Sequence, residues 1–156
     1  MHFLIALHAV LGEVGALAFL WVLVEMLDPN ESRLRRARRA ALIGVSCFLA
    51  AWVAGGAYYL TDYAALVKPI IKSGPLPWAH TVIMETKEHI FLFLPFLGIL
   101  GWALLRKNVD AFIGDKNLKR ATILLCLLIV LLAFSMAGMG FIISSGFRAA
   151  LETKII

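Results

Sequence analysis

The sequence predicts an all-α integral membrane protein, a four-helix bundle running up-down-up-down with both termini outside. Three observations carry that prediction. The 156 residues are 62% hydrophobic and only 16% charged, against about 45–50% and about 25% in soluble globular domains. The apolar residues gather into four long runs, and most of the basic residues collect between alternate runs. With a mean hydropathy of +0.88, the chain has more apolar surface than one small core can hide, so much of it is expected to face lipid.

The first run, 3–27, is interrupted by His8, Glu13 and Glu25 and stops at Asp28-Pro29-Asn30. It opens with no Lys or Arg, so it reads as a retained span rather than a cleaved secretory signal. Glu25 and Asp28 read as its water-exposed end. The second run, 40–60, follows an arginine cluster at Arg33, Arg35, Arg36, Arg38 and Arg39. It ends in Tyr58, Tyr59, Asp62 and Tyr63, an aromatic-polar rim of the kind found at headgroup level. Residues 64–78 carry Lys68, Pro69, Lys72, Gly74, Pro75 and Pro77 and are expected to form a loop, with 64–71 lying flat at the interface. The third run, 79–105, is polar in its first half and carries Pro95, a kink that neighbouring helices can accommodate. The fourth is 121–146. Each is long enough for a hydrocarbon core of about 30 Å, which takes about 20 helical residues. A single domain, 1–156, is expected.

Orientation follows from the basic residues. The loops after the first and third runs hold five Lys or Arg each, against two in the middle loop and two after the fourth run. Positive-inside bias then places both termini and the 61–78 loop outside the cytoplasm. The same clustering argues against a nucleic-acid-binding face, despite a net charge of +5. Cys47 and Cys126 lie within apolar runs without C-x-x-C spacing and read as small hydrophobic residues.

Ionisable residues inside spans are costly and normally face a bundle interior, a cavity or a ligand. His8 and Glu13 fall in the outer half of the first run, and His80, Glu85, Glu88 and His89 in the outer half of the third. Helical spacing puts His8, Gly12, Gly15 and Phe19 on one face, and Glu85 and His89 on another. Two chemistries fit. His8 and His89 could ligate the two faces of a haem b, with Gly12 and Gly15 admitting the ring and Glu85 or Tyr59 as supporting partners. Alternatively, His8, His80, His89, Glu13, Glu85 and Glu88 supply carboxylate and imidazole ligands for iron or copper ions. Met84 with His80 would suit Cu(I). The bland alternatives are interhelical hydrogen bonds for the histidines, a solvated first turn for Glu85, Lys87 and Glu88, and surface positions for His2 and His80.

In plan the chain resembles small four-helix membrane proteins of the CopD copper-resistance and HemJ-type group. The likeness lies in His8 near the start of the first span, the basic loop after it, Trp78-Ala79-His80 opening the third, and Lys87 close by. It covers residues 1 to about 105. The run Glu85-Thr86-Lys87-Glu88-His89 has no counterpart in that plan. The resemblance implies haem b held by histidines of the first and third helices, or a copper-related role. The expected function is electron transfer by a b-type haem protein of the cytoplasmic membrane, linked to quinone or to other redox subunits. The other expectations are metal handling or transport through the Glu/His cluster without haem, and a structural subunit that docks a partner externally.

Overall fold

A computed structural model describes residues 3–153, and every described element is helical. Helix α1 spans Phe3–Leu27, α2 Glu31–Ser73, α3 Ala79–Leu104, α4 Val109–Gly114 and α5 Lys116–Glu152. Four of these are long and apolar enough to cross a membrane. α1 packs against α2 and α5, and α3 packs against the same two. The four long helices therefore close a ring in chain order, the arrangement that short connections between antiparallel neighbours favour. Phe93, Phe96 and Leu124 are among the large apolar side chains left exposed.

The boundaries have local causes. Asn30 caps α2, its side chain accepting from the Arg33 amide at 3.0 Å. Asp115 caps α5 by accepting from the amides of Asn117 and Leu118. Both satisfy amides that have no partner within the first helical turn. The arginine cluster is accordingly the first two turns of α2 rather than a loop. At the other end of α2, residues 64–73 do not form the expected loop. The helix runs on through Tyr63 to Ser73, and only residues 74–78 turn.

Two segments depart from α-geometry, Tyr59–Val67 within α2 and Ala79–Met84 within α3, both π-helical. The wider i→i+5 turn rotates the side chains away from the 100° spacing used to read the sequence.

The main core lies toward the basic end of the bundle, where the α1–α2 turn and the 105–115 connection meet. Phe19 and Phe48 stack there at 5.7 Å and an interplanar angle of 3°, surrounded by Val22, Met26, Leu94, Cys126 and Ile129. Glycine makes that stack possible: a Cβ at Gly15 would stand 2.5 Å from Phe48, and one at Gly44 2.8 Å from Phe19. A smaller core of Tyr63, Ile71, Ala79 and Ile143 closes the terminal end.

Polar contacts tie the basic end together. Glu25, expected at a water-exposed end, is instead buried. It accepts from Trp21 Nε1, Arg33 Nε and both Nε and Nη2 of Arg36 at 2.6–3.0 Å. Arg38 donates to the carbonyls of Leu105 and Lys107, and Lys119 Nζ to that of Leu27.

Candidate functional site

Between the two cores lies a cavity of about 850 Å³, bounded by α1, α2, α3 and α5. A neighbouring chamber of about 340 Å³ shares His8, Lys87, Phe91, Ser144 and Arg148 with it. The walls are mainly apolar and aromatic, so the few polar groups set what the space can hold.

His8 is positioned by three helices. Its Nδ1 donates to the Ala51 carbonyl at 2.8 Å, and Phe91 meets its ring edge-on at 5.5 Å. A carbonyl can only accept, so Nδ1 carries the proton and the Nε2 lone pair faces the cavity. A carbonyl fixing the far nitrogen is the support that metal-ligating imidazoles commonly use. The close approach depends on Gly55, where a Cβ would stand 2.6 Å from Nδ1.

Facing Nε2 is Lys87 Nζ, at 3.5 Å. Among the described residues no carboxylate lies within 4 Å of Lys87 or of Arg148. Arg148 donates instead to Ser145 Oγ and lies over the Phe141 ring. Two cations thus border both chambers without an acidic partner in contact.

The sequence-derived candidates separate. His8, Tyr59 and Glu88 line the larger cavity, and Gly12 and Glu13 the smaller. Gly15 does not admit a ligand, because Phe48 fills the space beside it. His89 does not share the cavity with His8. Lys87 and Phe91, one turn apart, are the α3 residues that face His8, and position 89 lies about 160° around the helix from both. His89 is exposed, its Nδ1 donating to the Glu85 carbonyl of its own helix at 2.6 Å. The paired axial arrangement of His8 with His89 is therefore replaced by one in which His8 alone reaches the cavity. Among the described residues, no group of three His, Cys, Asp or Glu side chains is placed to hold one metal ion. His2 lies outside the described residues.

His80, expected at the surface, is buried with 2% of its area exposed. Its Nδ1 is 3.0 Å from the Tyr63 hydroxyl, and its Nε2 is 3.6 Å from Glu85 Oε1. Tyr63 is equally buried and stacks on Tyr59 at 5.4 Å. Sequence reasoning missed this pair because both members sit in π-helical segments. It also took Arg148 only as a topology charge, since nothing in the local sequence marks it as cavity-facing.

No protein family, curated protein or solved structure was found to match this chain.

Proposed function

We propose that the chain is an integral membrane protein that holds a b-type haem in the larger cavity through His8 and takes part in quinol-linked electron transfer. The observation that carries this reading is the His8 imidazole, fixed by Ala51 on one nitrogen and turning the other, beside Lys87 Nζ, toward a mainly apolar cavity of about 850 Å³. The lining suits the group in part. Phe91, Tyr59 and Phe147 offer flat apolar walls and Arg148 a cation for a carboxylate, while Lys87 Nζ, 3.5 Å from His8 Nε2, would have to swing off that nitrogen toward a second carboxylate before iron could bind. When bound, haem supplies a one-electron couple whose potential responds to axial ligation and burial. The protein's part is to orient His8, exclude water with the aromatic walls and neutralise acid groups. Positive-inside bias puts the basic end in the cytoplasm and the cavity in the outer half of the bilayer. A lipid-soluble quinol can reach that depth, and an external acceptor or redox subunit would take the electrons.

The deciding experiment is an absorption spectrum of the detergent-purified protein, oxidised and then dithionite-reduced, with iron analysis on the same sample. A Soret band and a reduced α-band at about one iron per chain are expected. A colourless, iron-free sample overturns the haem reading.

One observation favours a second reading. An ammonium inside a span without a carboxylate in contact is costly unless a ligand supplies the anion. Lys87 and Arg148 would then receive the acid group of an amphipathic molecule being bound or transported without haem. A colourless protein that co-purifies with a stoichiometric acidic lipid would establish that reading in place of the first.

A further inference from the structure

We propose that the larger cavity and the wall it shares with the smaller chamber bind a single-chain fatty acid, its carboxylate held by Lys87 and Arg148 and its chain in the larger cavity. The site rests on the second of the two readings above, with no haem bound.

The two cations stand at different depths along one wall. A Cβ at Gly140 would lie 3.7 Å from Lys87 Nζ, so the ammonium sits alongside that glycine of α5. Ser144 and Arg148 follow one and two turns further along the helix, and all three positions line both chambers. Gly140 and Arg148 are thus about 12 Å apart along the helix axis, with the Ser144 hydroxyl between them. Arg148 is exposed, whereas Lys87 is half-buried. An acid entering beside Arg148 therefore meets the guanidinium first, then a hydroxyl donor, then the ammonium.

The polar chemistry of this wall suits a singly charged head group. His8 Nε2, 3.5 Å from Lys87 Nζ, can accept at most one of the three ammonium N–H groups. Two remain for an anion, and hydrogen bonds from a cation to a carboxylate are the stronger kind. The position of Lys87 that obstructs iron at Nε2 is thus one that an acid can use. Glu88 borders the larger cavity and Glu13 the smaller, but neither lies within 4 Å of Lys87 or Arg148. Glu88 nonetheless acts on Lys87 through its charge, which disfavours a doubly charged phosphate beside the ammonium more than a carboxylate.

Size decides between one chain and two. A volume of about 850 Å³ lies within the roughly 300–1,000 Å³ of sites that enclose one small ligand. Val53, Val67, Leu92 and Ile143 supply aliphatic walls for one acyl chain, with Trp52 among them. The second chain of a phospholipid would be left outside.

The test titrates delipidated full-length protein in phosphatidylcholine nanodiscs with dibrominated stearate, whose bromines quench tryptophan on contact. Saturable, equimolar quenching is expected in wild type and should be lost in Trp52→Phe. Oleate should compete, whereas oleyl alcohol, which has the same chain without the acid, should not. Lys87→Met and Arg148→Gln should each weaken binding about tenfold or more, the effect of losing a charge-assisted hydrogen bond. Arg39→Gln, at the basic end, should match wild type. Equal competition by oleyl alcohol would overturn the site, as would affinities within about twofold of wild type in both cavity variants. Arg148 is exposed, so its variant reports on the site even if Lys87→Met perturbs the fold. Binding of dioleoyl phosphatidylglycerol but not oleate would overturn the single chain and leave the acidic-amphipath reading intact. Binding of neither acid would overturn both.

Discussion

Gly55 holds open the space that the His8 imidazole occupies: a Cβ there would stand 2.6 Å from Nδ1 and 2.8 Å from Cε1. Even alanine would force the ring off the Ala51 carbonyl. On the haem reading, Gly55→Ala is expected to lose or shift the Soret band as His8→Ala would. Gly138→Ala, at a position with nothing within 4 Å, should leave the spectrum alone. Spectra of the two variants at equal protein concentration make the comparison.

The two candidate axial histidines should behave differently. His8→Ala is expected to abolish the Soret band, whereas His89→Ala should retain it, because His89 is exposed and faces away from the cavity. Loss of the band in both variants would mean that α3 rotates on binding.

Lys87 places a charge among mainly apolar walls, with the His8 imidazole 3.5 Å away and Glu88 nearby but not in contact. In ligand-free protein, Lys87→Met should raise stability by about 1–2 kcal/mol, less than the roughly 2.5–3.5 kcal/mol that a charge at the centre of a span costs, because Lys87 lies in its outer part. On the haem reading, the same variant should hold that group more weakly. Thermal unfolding in detergent with and without haem separates the two effects. A destabilised ligand-free variant would show that the ammonium is already satisfied.

Glu25 is the acceptor of four hydrogen bonds, three of them from arginines. Glu25→Gln should lower stability by about 1–3 kcal/mol, the usual cost of losing charge-assisted bonds to a buried group. On the haem reading its absorption spectrum should not change, since Glu25 lies at the opposite end from the cavity. Chemical denaturation monitored by tryptophan fluorescence would measure the loss.

The helices were legible because apolar runs and basic clusters depend on composition alone. Their ends were not. The polar, proline-bearing stretch 68–73 looks like a loop, yet Pro69 falls in the first turn of a short α-helical stretch, where a missing amide costs little. His8 was legible as an isolated imidazole in an apolar run, and the small residues near it drew attention to glycine. The glycine that matters is Gly55, on the partner helix, and no reading of α1 could reveal it. Lys87 and His89 differ by two positions, but only packing decides which of them faces α1. The Tyr63–His80 bond was hidden further, because it depends on a local change of helical pitch in two segments at once.

The contacts among Glu25, Arg33, Arg36 and Arg38 and the stacked Phe19–Phe48 pair all lie toward one end of the bundle. The other end is held chiefly by a small cluster around Tyr63 and Ile71. Such a molecule behaves like a clothes-peg with its spring at the basic end. The jaws can part to admit a bulky guest while the spring stays shut, so backbone amides of 59–73 should exchange with deuterium well before those of 37–48.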